Sequence, residues 1–389
     1  MISIVLAYIG FIALGLSMGM LGVAWPSIQN TFGLPLDAVG ILLLTSTGGS
    51  VLASSISGRL IVRLGTGWLL VLSSIAACLG LVGQAIAPQW WIMILVTVLA
   101  GVGAGLIDSG LNIYIAQHHS GRVMNWLHAC FGLGATLGPL LMTTVLKQEL
   151  SWRIGYVVAA GIQVVMMLFF LLSVKQWRSI MVETESVEIT SSGESNGRIF
   201  LMWLSIILFF LYAGVEVTAG QWGFPFYTET RGVGLETAGY WVSIYWGSLT
   251  IGRLLFGFIV NHTGATTTLR ACMIGVILGA IGFMVPINSV SFAGLGLIGF
   301  AQAPIFPLLV SETPKRLGSA LATRAIGYQV GAAGLGIATL PGLAGVIADK
   351  WGLEQIGIFI LIASLCLFTL HELILRRSSL TNPQSAFSP

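Results

Sequence analysis

The chain has 389 residues, of which 56% are hydrophobic and only 8% charged, with a mean hydropathy of +0.93. A water-soluble domain carries about 25% charged residues, so a soluble globular fold is excluded and the chain reads as an integral membrane protein. The net charge of +3 says little, and Cys78, Cys130, Cys272 and Cys366 stand singly in apolar segments, a pattern that points to neither a metal site nor a disulfide framework.

Twelve apolar runs of spanning length, each about 20 residues, follow one another. Their approximate limits are 2–24, 36–58, 67–87, 91–116, 124–146 and 153–174, then 199–222, 236–260, 268–287, 291–311, 321–347 and 354–375. The first is too long for a signal h-region and has no basic segment before it, so it reads as a retained span. Most connections are short. The exception is Lys175 to Arg198, polar, acidic and rich in Ser, Thr and Gly, which reads as a flexible linker. The expected fold class is an all-α membrane protein of twelve transmembrane helices. Its expected domains are a six-helix bundle over 1–174, a linker over 175–198, a second bundle over 199–377 and a tail over 378–389.

Orientation follows from Lys and Arg. Loops on the linker's side hold eleven such residues, among them Arg59, Arg63, Arg122, Arg198, Lys315 and Arg316, and the opposite loops hold four: Lys147, Arg153, Arg231 and Lys350. The linker and both termini are therefore expected in the cytoplasm, in an inner or plasma membrane.

The halves repeat. Adding 199 to a number in the first half matches Gly15 with Gly214, Pro26 with Pro225, Asp37 with Glu236, Gly40 with Gly239, Gly48 with Gly247, Gly58 with Gly257 and Gly65 with Gly264. No gap is needed across two helices. Duplicated bundles with a solute site near the midplane between them are the build of alternating-access transporters.

Polar residues inside apolar spans carry the functional signal, because intramembrane ionisable groups are costly and usually functional. Twelve of the fourteen acids sit in loops, the linker or helix ends, which leaves Asp108 and Glu216. Asp108 shares a helix face with Asn112, and Asn125 shares one with His128 in the next span. A carboxyl removed from water favours its neutral form, so each acid is a candidate proton carrier. Each also reads as a structural carboxyl paired with Arg253 or a helix backbone, and sodium would use the same carboxylates.

Twelve spans, a six-plus-six split and a cytoplasmic linker resemble the major facilitator superfamily. Gly58 to Gly65, GRLIVRLG, resembles that superfamily's loop motif after the second helix, although the usual acidic position is Val62. Gly257 to Gly264, GFIVNHTG, is the weaker second copy. The resemblance implies the two-bundle facilitator fold and a closing role for Arg59 and Arg63, with Val62 interrupting the usual charge lock. Glu312, Lys315 and Arg316, at a cytoplasmic helix end, are read as gating contacts between helix termini.

Three stretches are similar to the fucose/glucose-type sugar permeases of that superfamily. They are Asp108-x-x-x-Asn112, the run Asn125-Trp126-Leu127-His128-Ala129-Cys130-Phe131-Gly132, and Tyr212-Ala213-Gly214-Val215-Glu216-Val217. The fucose members also carry an acid on the first helix, where this chain has none. That leaves Asp108 and Glu216 to do any coupling.

A sugar site pairs an aromatic face with amides and carboxyls. Trp126, Trp222, Tyr245 and Trp246 are the inner aromatics, and each reads either as site or as core. His128, Gln221, Gln302 and Gln329 are possible hydrogen-bonding groups, or bonds between helices. Glycine-rich runs such as Gly132, Gly134 and Gly138 lie inside spans and read as close packing. Pro26, Pro139, Pro225, Pro304, Pro307 and Pro341 are expected to kink or end helices.

The expected function is secondary active transport of a small polar solute, first a hexose or related sugar with proton symport, with a proton-coupled drug or metabolite exporter as the alternative. A non-transporting sensor is disfavoured by the short linker and tail, and no enzyme motif is present. The expected partners are the small-molecule substrate and the lipid bilayer, with no nucleic acid and no cofactor beyond H+ or Na+. The chain is expected to act as a monomer.

Overall fold

A computed structural model describes residues 2–119, 121–177 and 196–381. Residues 178–195, the body of the expected linker, and 382–389, most of the expected tail, lie outside the described residues. Thirteen α-helices are described: α1 Ile2–Phe32, α2 Val39–Leu64, α3 Thr66–Ile86, α4 Trp90–His118, α5 Gly121–Lys147, α6 Trp152–Ser173, α7 Asn196–Pro225, α8 Leu235–Thr263, α9 Ala265–Met284, α10 Asn288–Gln302, α11 Ile305–Leu317, α12 Ser319–Trp351 and α13 Gln355–Thr381. Helices α10 and α11 together make one span, Asn288–Leu317, so the count of spans is twelve. Among the described residues there is no strand, as expected where hydrocarbon leaves each backbone polar group to be satisfied within its own helix.

The helices overrun the apolar cores by several residues, because polar and aromatic ends add turns outside the hydrocarbon. Three of the prolines expected to bend or end helices do not end them: Pro26, Pro139 and Pro341 lie inside α1, α5 and α12, whereas Pro225 is the last residue of α7. Pro225 is followed by a π-helical turn, Phe226–Thr230. The break falls at Ala303–Pro304, between α10 and α11. Pro304 and Pro307 both lack an N–H there, which removes two helical bonds within one turn.

The repeat is built into the backbone. Gly65 and Gly264 end α2 and α8 with φ of 79° and 77°, and Gly33 and Gly232, also 199 apart, have φ of 63° and 61°. That left-handed region is cheap only for glycine. The ends of α3 and α9 are also treated alike. Arg153 donates to the Ala85 and Ala87 carbonyls, and Arg231 donates to the Met284 carbonyl, 199 beyond Ala85.

Glycine sets the helix spacing within each half. A Cβ on Gly15 of α1 would lie 2.0 Å from the Phe131 carbonyl oxygen of α5, and one on Gly134 of α5 would lie 2.0 Å from the Ile12 carbonyl oxygen. Small residues on both faces let the two backbones touch. The same device joins the halves, where α2 packs on α12 and α5 on α8. The Cβ positions of Gly40 and Gly342 each meet the other glycine's Cα, at 2.7 and 2.9 Å, and Gly239 meets Thr143. The second pair is the first shifted by 199, since 40 + 199 = 239 and 342 − 199 = 143.

These contacts belong to one end of the molecule. At the end away from the linker, Gly22 lies against Gln221, Gly345 against Asp37, Lys147 pairs with Glu236 at 2.8 Å, and the Leu36 amide donates to Asp349. Midway, Gly132 still meets Thr250 and Gly247 meets Thr136. Toward the linker end, positions at Gly58, Gly257, Gly327 and Gly331 face open space. The halves converge at the far end and part at the linker end.

Candidate functional site

The parting of the halves exposes a short stripe of each. On α4, one face packs on α3 through Gly103 and Gly110, a second on α2 through Gly101 and Gly105, and Leu111 reaches Gly10 of α1. Asp108 falls between the α1 and α2 lines, so it points inward rather than to lipid, and it is exposed there. Asn112, one turn on, donates from Nδ2 to Asp108 Oδ1 at 3.1 Å. This is an acid held by one neutral amide.

On α5, Phe131 and Ala135 face α1, and Gly132 and Thr136 face α8. His128 lies one turn before Gly132, between these two lines. It is exposed, and its ring meets Phe11 edge-on at 5.6 Å. Arg253 of α8 lies near its ring. His128 thus stands at the level where α5 and α8 stop touching.

The opposite wall is more heavily bonded. Glu216 of α7 is 14% exposed and takes the Tyr212 hydroxyl on Oε2. The Arg253 Nη2 stands 3.8 Å from the same oxygen. Tyr245 of α8 donates to the Glu216 backbone carbonyl at 2.7 Å, and the Tyr212 hydroxyl also lies 3.4 Å from the Gln302 carbonyl at the α10–α11 break. Of the two sequence readings of Glu216, the contact with Arg253 is realised, and the pair lies at the inner face, beside the opening. Arg253, 25% exposed, meets that carboxylate through one nitrogen and is also bonded to the Tyr212 hydroxyl. A guanidinium carries five N–H donors.

Nearer the far end, a small cavity between the halves is lined by Met18, Gly22, Leu43, Gln221 and Trp246. Gln221 is 5% exposed and its Nε2 has no partner. Among the described residues, no group of three His, Cys, Asp or Glu side chains is placed to hold a metal ion.

The remaining candidates divide plainly. Asp108, Asn112 and His128 come together on one wall, Glu216 and Tyr245 on the other, and Gln221 and Trp246 below them. Asn125 lies in α5, but its side chain is outside the described residues. Trp126 is not brought to this group. It is 53% exposed on the face of α5 that carries exposed Leu133 and Leu137, away from both α1 and α8. Trp222 is fully buried and donates to the Pro341 carbonyl at 2.9 Å, tying α7 to α12. Gln329 bridges Ser205 and Thr313 inside the second half, and Gln302 is buried at 1% exposure with both amide atoms unpartnered. Arg59 and Arg63 are exposed at the linker end of α2. Glu312 is bonded by Lys315 of its own helix at 2.7 Å, and Arg316 lines a separate internal cavity with Ser205 and Gln329.

Tyr212 is the site residue that residue-by-residue reasoning passed over. The signal was its spacing, four residues before Glu216, the same i,i+4 relation that links Asp108 and Asn112.

Known proteins agree with this architecture. The chain is 24% identical to "Bypass of stop codon protein 6" of Saccharomyces cerevisiae across 95% of this chain and 81% of that protein. It is 27% identical to an uncharacterized MFS-type transporter of Yersinia pestis across 88% of each. The crystal structure of a bacterial homologue of the human lysosomal transporter Spinster superposes with a TM-score of 0.81 at 12% identity, covering 96% of both chains. That likeness concerns the fold alone. The model of the Major Facilitator Superfamily matches residues 7–333, well over half of the sequence, and the chain belongs to that superfamily.

Proposed function

We propose that the chain carries a hexose or related sugar together with a proton across an inner or plasma membrane, as a monomer with its linker and both termini in the cytoplasm. A superfamily member of this build is a secondary transporter of a small solute, and not an enzyme. The observation that carries the finer reading is Asp108. It stands inside the opening between the halves with a single amide for a partner. A carboxyl in that position has no counter-ion to fix its charge, so it gains and loses a proton with the least rearrangement.

In the proposed cycle Asp108 takes a proton from the far side. Asn112, Asn125 and His128 on the first half, and Gln221 with Trp246 on the second, bond the solute hydroxyls and cover the ring. Glu216 is a second coupling group. The halves rock about the site, the far-end contacts at Lys147–Glu236 open and close, and Arg59, Arg63, Glu312 and Arg316 meet or part at the linker end. The bias of Lys and Arg toward the linker's loops supports the cytoplasmic assignment.

The test is Asp108→Asn in proteoliposomes. Accumulation against a gradient should be lost while exchange of labelled for unlabelled sugar continues. Accumulation that still follows the proton gradient removes the coupling role. Extrusion of a dye in exchange for entering protons, with no sugar uptake, replaces symport by export.

A further inference from the structure

The charges on the two walls do not match, and the mismatch constrains the solute. Asp108 is balanced by nothing but an amide. Glu216 lies beside a guanidinium, and its charge cancels that of Arg253 when the site is empty. If Glu216 takes up a proton while the solute is neutral, Arg253 is left as a lone cation within a membrane span, a costly state. If the solute brings one negative charge, the sum over Glu216, Arg253 and solute is zero both before and after loading. The contact geometry fits such an exchange. The surface pair Arg270–Glu372 is bidentate at 2.6 and 2.8 Å, whereas Arg253 meets Glu216 through one nitrogen at 3.8 Å. Its fork, the shape that grips a carboxylate through two parallel bonds, does not close on Glu216. Nor is the pair required by the fold, because the positions 199 residues earlier are Ser17 and Ser54, which bond only backbone carbonyls of their own half.

We infer that Arg253 is the anion receptor of the opening and that the solute is a hydroxylated monocarboxylate, a sugar acid of the aldonate or uronate class, whose carboxylate replaces Glu216 as the partner of Arg253. This rests on the reading of the opening as the solute site. The step is a proton transfer and an exchange of ion pairs. A proton from water forms an O–H bond on the Glu216 carboxylate, the contact with Arg253 breaks, and the fork of Arg253 closes on the incoming carboxylate. Among the described residues, the titratable and charged groups around Glu216 are Tyr212 on its own helix and Tyr245 and Arg253 from α8, with His128 of α5 across the gap. The Tyr212 hydroxyl holds the protonated carboxyl in place, and that of Tyr245 holds the backbone carbonyl of the same residue.

The experiment compares glucuronate, glucose and glucose 6-phosphate as ligands of the purified full-length protein, by thermal shift and by proton uptake in weak buffer. Glucuronate should bind about tenfold or more tightly than glucose, with about one proton more taken up per solute than with glucose. Glucose 6-phosphate, a dianion, should bind less well than glucuronate. Glu216→Gln, a standing mimic of the protonated acid, should keep glucuronate binding and lower the proton uptake by about one per solute. Arg253→Gln should erase the preference for glucuronate over glucose. Glucose binding as tightly as glucuronate, or glucuronate binding with no more proton uptake than glucose, overturns the inference and leaves the sugar-symport reading standing. Binding of none of the three overturns both. Should either variant fail to fold, the wild-type ranking and its proton count decide alone.

Discussion

The two halves share a backbone register but not a chemistry. In the first half the polar groups sit on α4 and α5, as Asp108, Asn112 and His128. In the second they sit on α7 and α8, as Glu216, Arg253, Tyr212 and Tyr245. The positions 199 residues after Asp108 and His128 are Pro307 and Gly327. Duplication supplies two similar walls, and substitution has made one hold its acid loosely and the other hold it in a network. The lesson is that helix packing in this fold tolerates either arrangement, so the polar residues are free to follow the solute rather than the fold.

The sharpest way to break the likeness is through matched glycines. A Cβ at Gly15 runs into the α5 backbone, with the Phe131 carbonyl oxygen at 2.0 Å, whereas at Gly214 it meets only the side chain of Leu340. Gly15→Ala should leave no folded protein on size exclusion. Gly214→Ala, where the tip of Leu340 can turn aside but its Cβ at 2.8 Å asks for a small helix shift, should cost less, about 1–3 kcal/mol. Equal effects would show that the two contacts are equally rigid.

Next comes the difference between a paired and a lightly held acid. Arg253→Gln leaves Glu216 without its counter-charge and should cost about 3–5 kcal/mol, with the double variant carrying Glu216→Gln as well returning most of it. On the other wall, Asn112→Ala should cost about 1 kcal/mol or less, because exposed Asp108 can bond water in place of the amide. Denaturation in detergent checks both. A double variant no more stable than Arg253→Gln alone would remove the pairing. Tyr212→Phe removes one hydrogen bond to the Glu216 carboxylate and should cost about 1.5–3 kcal/mol.

The smallest effect is expected at the far end. Lys147 and Glu236 are 57% and 42% exposed, so their ion pair is screened by salt. Lys147→Ala should leave the melting temperature unchanged at high ionic strength. It should instead raise the fraction of molecules labelled at a cysteine placed on the far-end seam. No change in labelling would mean that the glycine contacts, such as Gly40 on Gly342, hold that end by themselves.

Much of this could be read in the residues. Spans announce themselves by length and lack of charge, and the repeat was legible because glycines at left-handed positions, Gly65 and Gly264, cannot drift in register. Asp108 and Glu216 were visible for the same energetic reason that makes them rare. What the sequence hid is which way a side chain points. Lipid and protein interior are equally apolar, so no hydrophobic periodicity marks the inner face of a span. Trp126 therefore looked like a companion of His128 although two residues of helix turn it to the opposite side. Trp222 and Gln329 looked like site residues because a polar atom in a span reads the same whether it meets a solute or, as here, the Pro341 carbonyl or Ser205.

The interrupted tenth span deserves a last mechanical reading. Helix α4 runs 29 residues without interruption, whereas its counterpart in the repeat is cut into 15 and 13 residues at Ala303–Pro304. One lobe thus contains a stiff rod where the other contains a jointed one. The Tyr212 hydroxyl that holds Glu216 also touches the carbonyl beside that joint. If the halves rock as proposed, the joint lets the lobe that carries the arginine bend where the unbroken α4 of the Asp108 lobe cannot.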